Sequence, residues 1–144
     1  VVAITAQLGW IITVADHRPA FLTAQRFPEA HHLLLGRPEE LAGAIQADER
    51  TAAVVMNHNY PHDRDMLRWF LRSAATYIGQ LGPRRRTERL LAELQNESAE
   101  TPLSAERLFA PVGLDIGCEA PEQIALAIVS EIQAHFAGKL PGRG

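Results

Sequence analysis

VVAITAQLGWIITVAD, residues 1–16, decides the fold. Val1, Ile4 and Leu8 recur at three- and four-residue intervals, the spacing of one helical face, and Gly9 stands where a helix C-terminus favours a left-handed residue. An apolar run from Trp10 to Ala15 follows at once, too short for a helix, and ends in Asp16. Helix, glycine, buried strand and acidic residue make the second half of a βαβ unit. Its first strand and turn would lie before residue 1, so the chain reads as a fragment, a processed product or a truncated relative of a longer protein.

The alternation continues outward from there. His31–Gly36 (HHLLLG) reads as a second buried strand, after which Pro38, Glu39 and Glu40 open a helix with proline in its first turn and carboxylates at the positive dipole end. Leu41, Ala44 and Ile45 are its expected inner face. Ala52–Met56 (AAVVM) is a third apolar run, followed by an amphipathic helix marked by Met66, Leu67, Phe70 and Leu71. Thr76–Gly79 reads as a fourth strand, and Leu90, Leu91 and Leu94 face inward from the helix after it. In the last helix, opened by Pro121, the residues Ile124, Ile128, Ile132 and Phe136 fall at four-residue steps, with Ala125 and Val129 widening the stripe. Strands apolar throughout, alternating with helices, imply a mainly parallel sheet covered on both faces. Gln95–Ser104 (QNESAETPLS) is the one polar, linker-like stretch, and residues 138–144 read as a frayed tail.

Composition narrows the function. The 144 residues fit one domain over residues 1–144, and 47% hydrophobic against 22% charged supports a packed core. A net charge of -3 argues against nucleic acid or an anionic membrane as partner. The single cysteine, Cys118, excludes an internal disulfide and any cysteine-rich zinc site. No apolar run reaches membrane-spanning length, and a cytoplasmic location is expected. Of the 14 basic residues only Lys139 is a lysine, so the arginines invite a reading as planar anion forks.

Ligands of open α/β sheets gather at the C-terminal ends of the strands. Asp16, followed by His17 and Arg18, could accept from a ribose hydroxyl or serve as a turn aspartate, and Arg18 could meet a phosphate or neutralise Asp16. After the third strand, His58 precedes His62, Asp63 and Asp65, a spacing compatible with a divalent metal or proton transfer. Asp63 or Asp65 suits the N-cap of the next helix. Residues 79–86 (GQLGPRRR) carry the best local signal. Gly79 and Gly82 would let the backbone approach an anion, and Arg84, Arg85 and Arg86 stand in a first helical turn where cations oppose the dipole. That arrangement weighs toward an oxyanion site. Gly113, Asp115 and Gly117 form a glycine-rich loop before the last helix, either a tight turn or a ligand approach. Cys118 is a small filler or a reactive thiol.

LGWIITVADHR, RFPEA, VVMNHNYPHDRDML, YIGQLGPRRR and PVGLDIG followed by APEQIALAIVSEI, in this order, resemble the C-terminal Rossmann-like domain of the XdhC/CoxI family of xanthine dehydrogenase accessory proteins. The resemblance covers nearly the whole chain and implies a three-layer α/β Rossmann-like parallel sheet. It implies a factor that binds molybdenum cofactor (molybdopterin), protects it during sulfuration and delivers it to a xanthine dehydrogenase-type apoenzyme. A cysteine desulfurase as sulfur source and a homodimer belong to the same expectation, and an accessory role is expected rather than an enzyme. The chain departs from the family pattern at Pro83, where serine is usual, at Cys118, where a small residue is usual, and at Ala120, where threonine would cap the last helix. The rival readings are an NAD(P)-dependent oxidoreductase, favoured by Asp16, and a non-catalytic dimerisation or docking module. In a Rossmann strand order, a further strand is expected between the runs Trp10–Ala15 and Ala52–Met56, which should not pair directly.

Overall fold

The computed structural model describes residues 1–98 and 103–140. Helix α1 (Val2–Gln7) ends where the glycine signal places it: Gly9, at φ +73°, closes a Schellman motif in which its N–H reaches the Ala6 carbonyl and the Trp10 N–H reaches Thr5. Strand β1 (Thr13–Asp16) then pairs in parallel with β2 (His32–Leu35), Thr13 opposite His32 and Asp16 opposite Leu35. Both strands start later than the apolar runs do. Before the ladder begins, the Ile12 carbonyl already accepts from the N–H groups of His31 and His32, and the Ile12 N–H donates to His31 Nδ1.

The chain continues through α2 (Pro38–Ala44), β3 (Ala52–Val55), α3 (Tyr60–Arg72), β4 (Tyr77–Gln80), α4 (Arg84–Glu97), the two-residue β5 (Leu108–Phe109) and α5 (Pro121–Phe136). Strands β3, β4 and β5 form a second parallel sheet in that order, with Ala53 opposite Ile78 and Gly79 opposite Phe109. The architecture is the expected layered α/β one. On one face Leu41 of α2, Met66, Leu67, Phe70 and Leu71 of α3, and Leu90 and Leu94 of α4 pack on Ala53, Val55 and Ile78. On the other, Ile128 and Ile132 of α5 pack on Tyr77, Phe109 and Val112, joined by Val1, Ala52 and Val54. Alternate β3 residues thus feed opposite layers, and each buried aliphatic side chain contributes about 1.5–3 kcal/mol.

Among the described residues, β1 and β3 belong to separate sheets. Between them lies a cleft of about 940 Å³, walled by Thr13 and Ala15 of β1, Ala52–Val55 of β3, Met66 and Phe70 of α3, and Ile132 and Phe136 of α5. This is the place where the strand order calls for a further strand, and the two inner edges are not paired with each other.

Several local expectations are corrected. Ala44 is exposed and Phe136 is 45% exposed, because both lie at helix ends beyond the packed stripe. Neither Asp63 nor Asp65 caps α3. Asn59 does, its side chain accepting from the His62 N–H at 3.1 Å. Pro83, read from the sequence as suited to the first helical position, is instead the N-cap of α4. Gln95–Glu97 complete α4 instead of starting a linker, while residues 99–102 and 141–144 lie outside the described residues. Ala120, with no hydroxyl to offer, caps α5 through Gln123, whose Oε1 accepts from the Glu119 and Ala120 N–H groups.

Candidate functional site

The polar residues that end the strands meet at one edge of the sheet. Asp16, the last residue of β1, is fully engaged by its own loop. Its Oδ1 accepts from the Arg18 backbone N–H at 2.9 Å and from Arg18 Nε at 3.1 Å, and its Oδ2 accepts from Arg18 Nη2 at 3.0 Å. The guanidinium hydrogen bonds hold the carboxyl below its ordinary range, against a burial effect of opposite sign. The sequence leaves two roles open for this aspartate, and locally it is the anchor of Arg18.

Next to it, His17 Nδ1 stands 3.4 Å from Asp16 Oδ1 and 3.0 Å from His62 Nδ1, with the two rings nearly perpendicular at 4.1 Å. One Nδ1 donates and the other accepts. Asp16, His17 and His62 line the mouth of the cleft with Met56 and Asn57, whereas His58 turns off the end of β3 at φ +59°, a left-handed conformation in which histidine is enriched among non-glycine residues. Among the described residues, no three His, Cys, Asp or Glu side chains converge as metal ligands.

Beneath the end of β3 runs a buried network that local sequence patterns do not reveal. Asp63, fully buried, accepts from the Asn57 N–H at 3.1 Å, Gln80 Nε2 at 3.2 Å and Arg86 Nη1 at 2.7 Å. It ties together the ends of β3 and β4 and the first turn of α4. Arg86, which the sequence groups with Arg84 and Arg85, points inward to this carboxylate. Arg84 and Arg85 remain exposed, and no side-chain hydrogen bond or ion pair holds either of them among the described residues. Gly82 shapes the turn into α4 with φ +117°, which a side chain would strain. In the same turn the Thr87 hydroxyl is buried and without a partner among the described residues.

The other glycines have packing reasons. A Cβ on Gly79, inside β4, would stand 2.4 Å from Val112 Cγ2, so this residue makes room for a neighbouring side chain rather than for an anion. Gly113 lies against α5, with Ala127 Cβ 3.2 Å from where its own Cβ would be, and its N–H donates to Glu131 Oε1 at 3.0 Å. The buried Glu131 also accepts from the Tyr77 hydroxyl at 2.6 Å, fastening the loop to β4. Asp115 and Gly117 are exposed in that loop and do not line the cleft, and Cys118 Sγ donates to the Gln123 carbonyl at 3.1 Å. No helix among the described residues is long and apolar enough to cross a membrane.

Comparison with known proteins agrees with this architecture. The chain is 39% identical over 129 residues to a probable xanthine dehydrogenase subunit of Bacillus subtilis (strain 168), a match that covers 90% of this chain and 37% of that protein. It is 33% identical over 128 residues to the uncharacterized protein YqeB of Escherichia coli (strain K12), covering 88% of this chain and 23% of the other. The crystal structure of a xanthine dehydrogenase from Bacillus halodurans superposes with a TM-score of 0.84 at 26% identity, covering 99% of this chain and 40% of that one. The chain therefore spans well under half the length of each of these relatives. A family model described as the XdhC Rossmann domain matches residues 1–132, and the chain belongs to the XdhC Rossmann domain family.

Proposed function

We propose that this chain is the cofactor-handling domain of a xanthine dehydrogenase maturation factor, a carrier rather than an enzyme. In this reading it binds molybdenum cofactor, shields it during sulfuration by a cysteine desulfurase and passes it, as a homodimer, to a xanthine dehydrogenase-type apoenzyme. Family membership and the name of the Bacillus subtilis relative support the xanthine dehydrogenase context. The observation that carries the binding role is the start of α4. There the uncompensated cations Arg84 and Arg85 and the Gly82 turn combine with the helix N-terminus. An anionic phosphate-bearing ligand fits that donor set, with Gly82, Arg84 and Arg85 as its holders. The cofactor itself supplies the molybdenum and sulfur chemistry; the chain's part is to grip and orient.

Position alone favours a second reading, because an aspartate at the C-terminal end of a strand is where a nicotinamide dinucleotide places its ribose. Against it, Arg18 already donates to both Asp16 oxygens. Titration of the intact chain with NAD, NADP and molybdenum cofactor at one fixed salt concentration separates the two. The carrier reading expects cofactor binding that Arg84→Ala weakens by about ten- to a hundredfold, the equivalent of one charge-assisted hydrogen bond at roughly 1.5–3 kcal/mol. Micromolar dinucleotide binding lost in Asp16→Ala, with no binding of the pterin, overturns it.

A further inference from the structure

The loop that leaves β1 contains a second cationic arrangement, which the start of α4 does not explain. A turn in which the Phe21 N–H donates to the Arg18 carbonyl at 3.1 Å folds the Phe21 ring back against the Arg18 guanidinium, whose Cζ lies 4.2 Å from the ring centroid. A second turn, in which the Arg26 N–H reaches both the carbonyl and the hydroxyl of Thr23, brings the Arg26 Cζ to 5.0 Å from the same centroid. Two guanidiniums thus share one phenyl ring, which is itself 42% exposed. Arg18 is fixed at its inner edge: Nε and Nη2 are held by Asp16, while Nη1 makes no hydrogen bond among the described residues. Arg26 has neither a carboxylate within ion-pair distance nor a side-chain hydrogen bond among the described residues.

Each contact has a plain role in isolation, since a guanidinium on an aromatic face is a common surface stack. Their combination is harder to assign to stability. Bringing two like charges onto one exposed ring costs pairwise electrostatic energy, and only one of the two cations is neutralised by a carboxylate. What the arrangement does provide is pre-organisation. The ring restricts both long side chains, so less rotamer freedom remains to be lost when their outward N–H groups close on a ligand.

We propose that Arg18, Phe21 and Arg26 form a phosphate-binding subsite at the strand edge, distinct from the turn at α4 and taking a phosphate or diphosphate group through the open fork of Arg26 and the outward Nη1 of Arg18. Phe21 is a positioning residue, and Arg26 is the principal ligand because its fork is uncommitted. This subsite does not depend on which cofactor the chain carries.

The test is calorimetric titration of the whole chain with inorganic phosphate and pyrophosphate at fixed low salt, in an Arg84→Ala/Arg85→Ala background that silences the α4 turn. Saturable one-to-one binding is expected. Arg26→Ala should weaken it by about tenfold or more, as loss of a charge-assisted bond requires. Phe21→Leu, which keeps both charges, should weaken it by a smaller factor, and Arg26→Lys should fail to restore the affinity because a point charge lacks the fork. Absence of saturable binding overturns the proposal, as does unchanged affinity in Arg26→Ala. Full affinity in Arg26→Lys also overturns it, by reducing the site to diffuse surface charge. Because the background variant removes the α4 turn, failure of the carrier reading leaves this result interpretable.

Discussion

Replacing Asp63 with alanine removes the acceptor at the centre of the buried edge network, and the cost can be worked from its three partners. Gln80 Nε2 keeps one other acceptor, the Leu81 carbonyl, and so loses half its bonding, while the Asn57 N–H loses its side-chain acceptor altogether. Arg86 loses a 2.7 Å ion pair, but its side chain is 23% exposed and water recovers part of that energy. Truncating one member of a buried charged network costs about 3–5 kcal/mol, and the exposure of Arg86 places the expected loss near the lower end, about 3 kcal/mol. In a domain of this size each kcal/mol moves the melting temperature by about 3–5 °C, so a fall of about 10–15 °C is expected. Urea unfolding at pH 7 should show the same loss as a shift of midpoint with an unchanged slope. Asp63→Asn keeps one carbonyl acceptor and should cost roughly half as much. A double-mutant cycle with Arg86→Met should return a coupling of about 1–3 kcal/mol, since the alanine variant alone strands the arginine. A loss below about 1 kcal/mol, or zero coupling, would refute the claim that this carboxylate joins β3, β4 and α4.

Two further outcomes follow from the packing. Burial among Tyr77, Phe109 and Phe136 lowers the pKa of His135 from 6.5, partly opposed by Glu131, so the folded state holds the ring neutral. Its contribution to stability is therefore complete above the ordinary value and is lost as pH falls through the lowered folded value; His135→Gln should flatten that part of a pH–stability curve, and an unaltered slope would refute the assignment. An extended Val/Ile-rich hexapeptide should enter the cleft between β1 and β3 and protect the amides of both strands from hydrogen exchange, whereas exchange unchanged at saturating peptide would show that the edges do not accept a strand.

The fold is legible in the sequence because it rests on local signals: apolar runs too short for helices, the glycine after α1, and the apolar periodicity of α3 and α4. The site is less legible because its contacts are long-range. Asp63 looks like a helix cap when only its neighbours in sequence are considered; its partners at Asn57, Gln80 and Arg86 come together only after two strands have paired. Three consecutive arginines look equivalent on paper, but successive helical residues point about 100° apart, and Arg86 alone falls on the inward side. Gly79 reads as a ligand approach because nothing in the sequence places Val112, 33 positions later, against it. Arg18 and Arg26 flank Phe21 at spacings of three and five in an irregular loop, so no period announces that both will share its ring.

The cleft between the two sheets bears on how the edge can work. No ladder joins β1 to β3 among the described residues, so what holds the halves in register is side-chain packing from the helical layers, with Leu41 of α2 against the α3 stripe on one face and α1 against α5 on the other. Side-chain packing tolerates small displacements that a hydrogen-bonded ladder does not, because dispersion falls off gradually while backbone bonds require alignment. The polar groups at the cleft mouth follow this division: Asp16 and His17 travel with β1, and Asn57 and His62 with β3 and α3. The 3.0 Å contact from His17 to His62 is a polar bond that crosses the mouth between them. A strand seated between β1 and β3 would satisfy both inner edges at once and fix the separation of those groups. Occupancy of the cleft is therefore expected to set the separation of the polar groups at its mouth.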